Sequence, residues 1–199
     1  MGRNFTLAIA RHGQTESNVR NLWVGRGNDS LTPIGREQSK QLAISLKEFG
    51  FDFIVTSDML RAVQTAEIVS EVLKIPIIEK TGIIRDRDYG ILEGMTTEQI
   101  LEKYGIRMGS LSRDVERISN AEPVSSVIDR VNNFLSIFSE RFEGKKVIVI
   151  THGAFIRAFY ELFVGSSDGI KFTNCSNYIV NFSNAGVRLV RDITFVGNQ

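Results

Sequence analysis

The stretch FTLAIARHG, residues 5–13, joins an apolar run to an Arg-His-Gly triplet. The run is short, aliphatic and nearly continuous, which is typical of a strand buried on both faces of a parallel sheet. The stretch VIVITHG, residues 147–153, repeats this pattern around the second of the chain's two histidines. Because the carboxyl ends of strands form the ligand-binding crevice in open α/β sheets, the two His-Gly pairs indicate one shared crevice.

Short apolar runs alternate along the chain with segments of helical periodicity, which predicts an α/β fold. We expect a three-layer α/β/α sandwich around a mostly parallel central sheet, because helices would cover both of its faces. The predicted strands are residues 5–10, 52–56, 75–79, 146–151, 178–183 and 187–194. The last two alternate more clearly and are predicted to form a hairpin.

The predicted helices have recognisable ends. The first begins at Thr32-Pro33 and ends at Gly50, and the second follows a capping Ser57. A third carries an apolar stripe from Val124 and ends at Gly144. Residues 95–123 show no clear period beyond a helix near 97–104, so a small cap or lid insertion is predicted there, within a single domain over 1–199.

Composition excludes several classes of function. The chain has 24 Lys and Arg against 23 Asp and Glu, so no global basic field favours nucleic acid. Its apolar runs are far shorter than the roughly 20 residues that span a bilayer. The single Cys175 has no partner for a disulfide or a zinc site, which predicts a cytoplasmic protein. We expect neither a nucleic-acid nor a membrane partner, and the oligomeric state is not predicted.

Arg61 falls in the first turn of the predicted second helix, where the helix dipole disfavours a cation by about 0.3–1 kcal/mol. It either pairs with a carboxylate such as Asp58 or faces an anionic ligand together with Arg11. With both histidines and the helix N-terminus after Gly153, the two arginines would form a pocket that suits phosphate. Metal binding by the histidines is disfavoured, because neither has a second ligand at helical spacing and the arginines would repel a cation.

Five sequence motifs resemble those of the histidine phosphatase superfamily, which includes cofactor-dependent phosphoglycerate mutases and fructose-2,6-bisphosphatase. In chain order they are RHGQTESN at 11–18, LTPIG at 31–35, SDMLRAVQTA at 57–66, YGILEG at 89–94 and THG at 151–153. Each motif is weak alone, but the set in family order is specific. The resemblance implies that His12 is a nucleophile forming a phosphohistidine, without metal or cofactor. It also implies that the phosphoryl oxygens are held by Arg11, Asn18, Arg61 and His152.

The leaving group also needs a proton. The family usually supplies it from a glutamate four residues before the glycine of its (F/Y)G motif, and counting back from Gly90 this position holds Asp86. Aspartate can do the same acid–base work, with Glu16 and Glu93 as alternatives. Asp86 could instead be a surface carboxylate paired with a neighbouring arginine, Arg85 or Arg87.

Two departures from the family pattern favour a phosphatase that acts on a small phosphorylated substrate. The mutases typically have Gly-Asn after the second histidine, where this chain has Gly153-Ala154, and residues 95–123 contain no adjacent arginine pair. A phosphoglycerate mutase, or a phosphate-binding scaffold protein with little turnover, is the alternative. Trp23, Arg26 and Tyr89 are candidates for the substrate mouth, although packing is an equal role for the two aromatic residues.

Overall fold

The centre of the fold is a six-stranded sheet, seen in a computed structural model that describes residues 4–118 and 120–194. Its strands are β1 (Phe5–Arg11), β2 (Phe53–Ser57), β3 (Ile77–Thr81), β4 (Lys146–Thr151), β5 (Asn177–Ser183) and β6 (Gly186–Thr194). They lie in the order β3-β2-β4-β1-β5-β6. The strands β3, β2, β4 and β1 pair in parallel, whereas β5 is antiparallel to both of its neighbours. The mostly parallel sheet predicted from the sequence is confirmed.

Helices pack on both faces of this sheet. They are α1 (Glu16–Val19), α2 (Pro33–Leu46), α3 (Leu60–Leu73), α4 (Thr97–Tyr104), α5 (Val124–Phe138) and α6 (Gly153–Phe163). Leu7 and Ile9 of β1 pack with α5 and α6, whereas Ala8 and Ala10 pack with α2 and α3. Since successive side chains of a strand point to opposite faces, one continuous apolar run serves both layers. The predicted three-layer sandwich is confirmed, and no helix of the described residues is long and apolar enough to cross a membrane.

Most predicted element ends are close to the observed ones. Thr32 caps α2 through a hydrogen bond from the Gly35 amide at 3.0 Å, and Gly50 ends the following 3₁₀ turn in the left-handed region with φ 61°. The Ser57 cap is wrong, because α3 begins after Met59 and Ser57 is the last residue of β2.

Two other boundaries also differ. The strand β3 starts at Ile77, two residues later than the predicted start at residue 75. Helix α5 ends at Phe138, six residues before the predicted end at Gly144. In the second case hydrogen-bonded turns replace the helix and still bury Phe142.

Residues of the predicted cap contribute to an apolar cluster separate from the two that flank the sheet. The cluster contains the buried residues Tyr89, Leu92, Ile100, Ile106 and Val115. Helix α4 occupies the predicted 97–104 and begins with a capping box between Thr96 and Gln99. Trp23, from the loop after α1, packs against the same cluster. The cluster therefore joins the cap segment to the loops at the carboxyl edge of the sheet.

Candidate active site

The two histidines follow strands that end side by side. Arg11 at the end of β1 pairs in register with Thr151 at the end of β4, so both chains leave the sheet at the same edge. The rings of His12 and His152 lie 5.1 Å apart between centroids, and they are 2% and 0% exposed. The parallel pairing of β1 with β4 thus brings the two His-Gly pairs together in one crevice.

A cavity of about 570 Å³ opens at this crevice. Its polar lining includes five of the predicted site residues, namely Arg11, His12, Asn18, Arg61 and Asp86. The end of β1, helix α1, helix α3 and the loop after β3 each supply part of this set. The predicted nucleophile, the predicted proton donor and three of the four predicted phosphate ligands therefore share one cavity. The fourth, His152, is fully buried and does not line this cavity, and its Nε2 lies 2.9 Å from the Ser57 hydroxyl.

Hydrogen bonds fix the tautomer of His12. Its Nδ1 lies 2.7 Å from the carbonyl oxygen of Gly13, which can only accept, so Nδ1 carries the proton. Nε2 then has the lone pair, which accepts from Nε of Arg61 at 3.1 Å. Burial, followed by the charges of Arg61 and Arg11, holds the pKa of His12 well below its usual range. His12 is therefore a neutral imidazole near pH 7, with its lone pair toward the arginine.

Arg61 is buried beside His12 and held by the loop before α2. Its Nη1 and Nη2 donate to the carbonyl oxygens of Gly27 and Gly25 at 2.7 and 2.9 Å. Of the predicted carboxylate partners Asp58 is wrong, since it binds Arg85 at 2.6 Å, and the carboxylate near Arg61 is that of Asp86, 3.7 Å from Nη2. Arg61 is in the first turn of α3, where the helix dipole disfavours a cation, and these hydrogen bonds stabilise its guanidinium there.

Arg11 and Asn18 retain hydrogen-bonding capacity inside the cavity. Arg11 donates through Nη1 to the carbonyl of Phe172 at 2.7 Å, and its buried Nε has no partner among the described residues. Asn18 accepts a main-chain hydrogen bond through Oδ1 at 3.1 Å, which leaves Nδ2 as a donor. N–H donors beside the Arg11 and Arg61 guanidinium groups suit an anion such as phosphate.

Asp86 is the sole acidic residue among the described residues that line the cavity. Its Oδ1 accepts from the Ala154 amide in the first turn of α6 at 3.3 Å, and its Oδ2 lies 3.7 Å from Nη2 of Arg61. The surface ion pair considered from the sequence is wrong, because Arg85 binds Asp58 and the Arg87 guanidinium donates to main-chain carbonyls.

The other two candidate proton donors lie elsewhere. Glu16 is exposed on α1 and does not line the cavity. Glu93 is also absent from the lining, and its Oε1 accepts from the main-chain amides of Arg26 and Tyr89 at 2.9 and 3.2 Å. Glu93 therefore braces two loops, and of the three candidates Asp86 is the one that lines the cavity.

A family model of the histidine phosphatase superfamily (branch 1) matches residues 7–192. The chain belongs to this superfamily. It is 30% identical over 171 residues to the uncharacterized phosphatase PhoE of Bacillus subtilis, covering 86% of this chain and 83% of that protein. It is 33% identical over 158 residues to a 2,3-bisphosphoglycerate-dependent phosphoglycerate mutase of Cytophaga hutchinsonii, covering 76% and 74%. The solved structure of Bacillus stearothermophilus YhfR superimposes with a TM-score of 0.82 at 25% identity, covering 94% and 96%.

The three predicted mouth residues of this histidine phosphatase separate into two groups. Trp23 and Tyr89 line the cavity and also pack edge to face, with ring centroids 4.9 Å apart. Arg26 does not line this cavity. Its guanidinium points instead to Glu122, at 3.4 Å, and lines a neighbouring cavity.

Two further basic residues that line the cavity, Arg157 and Lys171, were not identified from the sequence. Arg157 on α6 donates to the Ser110 hydroxyl of the cap at 3.0 Å and to Ile170 O at 2.7 Å. Its position four residues after Gly153 places it on the same helix face, which was a usable signal. Lys171 is exposed at the rim in a loop without periodicity, and no pattern marked it.

Proposed function

We propose that this histidine phosphatase is a metal-independent phosphatase that hydrolyses small phosphorylated metabolites through a phosphohistidine on His12. The observation that carries the proposal is the state of His12, a buried neutral ring whose Nε2 lone pair lies against Arg61 beside the cavity. A neutral imidazole at neutral pH is a competent nucleophile, and adjacent guanidinium groups stabilise the charge of a transferring phosphoryl group.

The proposed first half-reaction transfers the phosphoryl group to His12. Nε2 attacks phosphorus, the P–O bond to the leaving alcohol breaks, and Asp86 gives its proton to the leaving oxygen. The Arg61 hydrogen bond that holds Nε2 in the free protein would pass to a phosphoryl oxygen. In the second half-reaction water attacks phosphorus, Asp86 takes a proton from that water, and inorganic phosphate leaves as His12 is restored.

Two arginines support a mechanism without a metal ion. Arg11 and Arg61 both line the cavity, and their two positive charges would balance the negative charge of a phosphate monoester. Within residues 4–118 and 120–194, no three His, Cys, Asp or Glu side chains lie together as candidate metal ligands. Charge neutralisation in the proposed mechanism therefore comes from the protein's own guanidinium groups.

The cap side of the cavity favours hydrolysis over the mutase alternative. This wall consists of Met108, Gly109 and Ser110, whereas Arg107, Arg113 and Arg117 of the same segment are outside the lining. A mutase must bind a second phosphate, and the further cations that line the cavity are Arg157, whose guanidinium is held by Ser110, Ser167 and Ile170, and the exposed Lys171. The phosphatase PhoE among the relatives also supports hydrolysis, although a mutase relative keeps the alternative testable.

The proposal is tested by assaying the purified chain against a panel of phosphorylated metabolites, with and without a chelator. We expect phosphate release from at least one small monoester, unchanged by the chelator. Isomerisation of 3-phosphoglycerate faster than its hydrolysis would instead identify a mutase. Phosphate binding without product release from any ester would support the scaffold alternative, and loss of activity with chelator would overturn metal independence.

Asp86→Asn should impair the enzyme in a way that depends on the leaving group. An amide cannot supply the proton, so we expect kcat/KM for an alkyl phosphate to fall by about 10²–10⁴-fold, the usual contribution of general acid catalysis. The loss in kcat/KM for p-nitrophenyl phosphate should be much smaller, because kcat/KM reports the transfer to His12 and p-nitrophenolate leaves without protonation. Steady-state kinetics with both substrates measures the difference.

Glu93→Gln is the matched control for Asp86→Asn. Because Glu93 braces loops through its oxygens, we expect any change in activity to be similar for the alkyl and aryl substrates. A leaving-group dependence in Glu93→Gln but not in Asp86→Asn would assign the proton donor to Glu93. Glu16→Gln completes the comparison and should leave both rates unchanged.

A further inference from the structure

We propose that Asn174 is a positioning residue that keeps the amide Nδ2 of Asn18 turned toward the phosphoryl group. The inference rests on the proposed function, because it concerns how the same cavity would bind phosphate. Asn174 lies in the loop between α6 and β5. It does not line the main cavity, but it lines a smaller cavity together with Arg11 and Asn18. It contacts both the chain that leaves β1 and the short helix α1.

Two hydrogen bonds define which way the Asn174 amide points. Its Nδ2 donates to the main-chain oxygen of His12 at 3.2 Å and to Oδ1 of Asn18 at 2.9 Å. A main-chain oxygen can only accept, so the contact with His12 identifies the donor end of Asn174. The atom of Asn18 that meets this donor must therefore be the acceptor, Oδ1.

A second donor reinforces this orientation of Asn18. Its Oδ1 also accepts from the Thr15 amide at 3.1 Å, as part of the capping box that begins α1. With both contacts made by Oδ1, the Nδ2 group is left for the cavity that Asn18 lines beside Arg11. If the amide turned over, Oδ1 would meet the anion and replace attraction with repulsion.

The short helix α1 explains why a second contact is needed. It has four residues, Glu16–Val19, and so short a helix is marginal without tertiary contacts. The loop that holds Asn174 also orients Arg11 through the carbonyl of Phe172 at 2.7 Å, while the Cys175 amide donates to His12 O at 3.2 Å. One loop thus supports two phosphate ligands and the main chain of the nucleophile.

A double-mutant cycle separates positioning from a merely structural role. Asn18→Ala, Asn174→Ala and the double variant are compared by kcat/KM for p-nitrophenyl phosphate and by inhibition with inorganic phosphate. Removing one donor to the transition state costs about 10²-fold, which we expect for Asn18→Ala. We expect Asn174→Ala to cost about tenfold alone and less than about twofold in the Asn18→Ala background, because residues that act as a unit are not additive.

The controls make each outcome decisive. Asn133→Ala changes an exposed asparagine of α5 and should leave kcat/KM unchanged. Equal losses for Asn174→Ala in both backgrounds, or no loss at all, would overturn the proposal. If Asn174→Ala does not fold, Asn174→Ser is carried through the same cycle. Serine keeps a polar group, but its side chain is too short to replace the hydrogen bond to Asn18. Failure of the phosphatase proposal is recognised separately, because the unmodified chain would then release no phosphate from p-nitrophenyl phosphate, or replacing His12 with asparagine would leave that release undiminished.

Discussion

Replacing His12 with asparagine should lower kcat for p-nitrophenyl phosphate by about 10⁴-fold or more, the scale expected when a covalent nucleophile is removed. The substitution suits this test because the asparagine Nδ2 takes the position of the imidazole Nδ1 and can keep the hydrogen bond to Gly13 O. Nε2, the proposed attacking atom, is lost. Arg11 and Arg61 remain, so inorganic phosphate should still inhibit by binding.

The intermediate itself provides the second measurement. After rapid mixing with substrate and quenching at alkaline pH, where a phosphoramidate survives, mass spectrometry should place the phosphoryl group on His12 of the unmodified chain. The His12→Asn protein should carry none. Retention by His12→Asn of more than about one hundredth of the activity, or a phosphoryl group on another residue, would contradict the proposed nucleophile. Asn133→Ala serves as the handling control.

The edge of the sheet that holds the site was predictable from local patterns. Each histidine directly follows a buried strand, and the carboxyl ends of parallel strands share one edge. In the sheet, the parallel neighbour of β1 is β4 and not β2. No single stretch of sequence encodes this strand order. Periodicity therefore predicted the crevice, while the 5.1 Å approach of the two rings depends on the strand order.

Residues that reach the site through distant contacts could not be predicted. Asn174 meets His12 across 162 positions of sequence, in a loop with no periodicity. The Ser57 cap followed a local rule, but Ser57 ends a strand and its hydroxyl lies 2.9 Å from Nε2 of His152. Arg26 was predicted at the substrate mouth, whereas its guanidinium binds Glu122, 96 positions away in sequence. Tertiary partners overrode the local pattern in each case.

Lowering the pH from 7.5 to 5.5 should reduce the free energy of unfolding by up to about 3 kcal/mol, through the two histidines together. Burial, followed by the charge of Arg61, holds the pKa of both His12 and His152 well below its usual range. In the unfolded chain the same groups titrate near their ordinary pKa of about 6.5. Between these values the unfolded state binds more protons than the folded state, so acid favours unfolding.

The sign and the window follow from these directions. The contribution of the histidines is complete above about pH 7.5 and is lost as the pH falls below 6.5 toward the depressed folded values, by at most about 1.4 kcal/mol for each histidine at pH 5.5. Most carboxyl groups titrate at lower pH. Burial raises the pKa of Glu93, and a raised carboxyl pKa has the opposite sign, stabilising the folded state as the pH falls.

Urea unfolding at pH 7.5, 6.5 and 5.5 measures this loss directly. His12→Asn and His152→Asn each remove one titrating group, so each variant should show about half of the pH dependence of the unmodified chain. Because the pKa of each ring is held well below its usual range, the neutral form of both dominates in the folded state near pH 7, and the two contributions should add there despite the 5.1 Å separation of the rings. If His12→Asn shows the same pH dependence as the unmodified chain, His12 accepts a proton in the folded state as readily as in the unfolded state, and the basis for a neutral His12 nucleophile is removed.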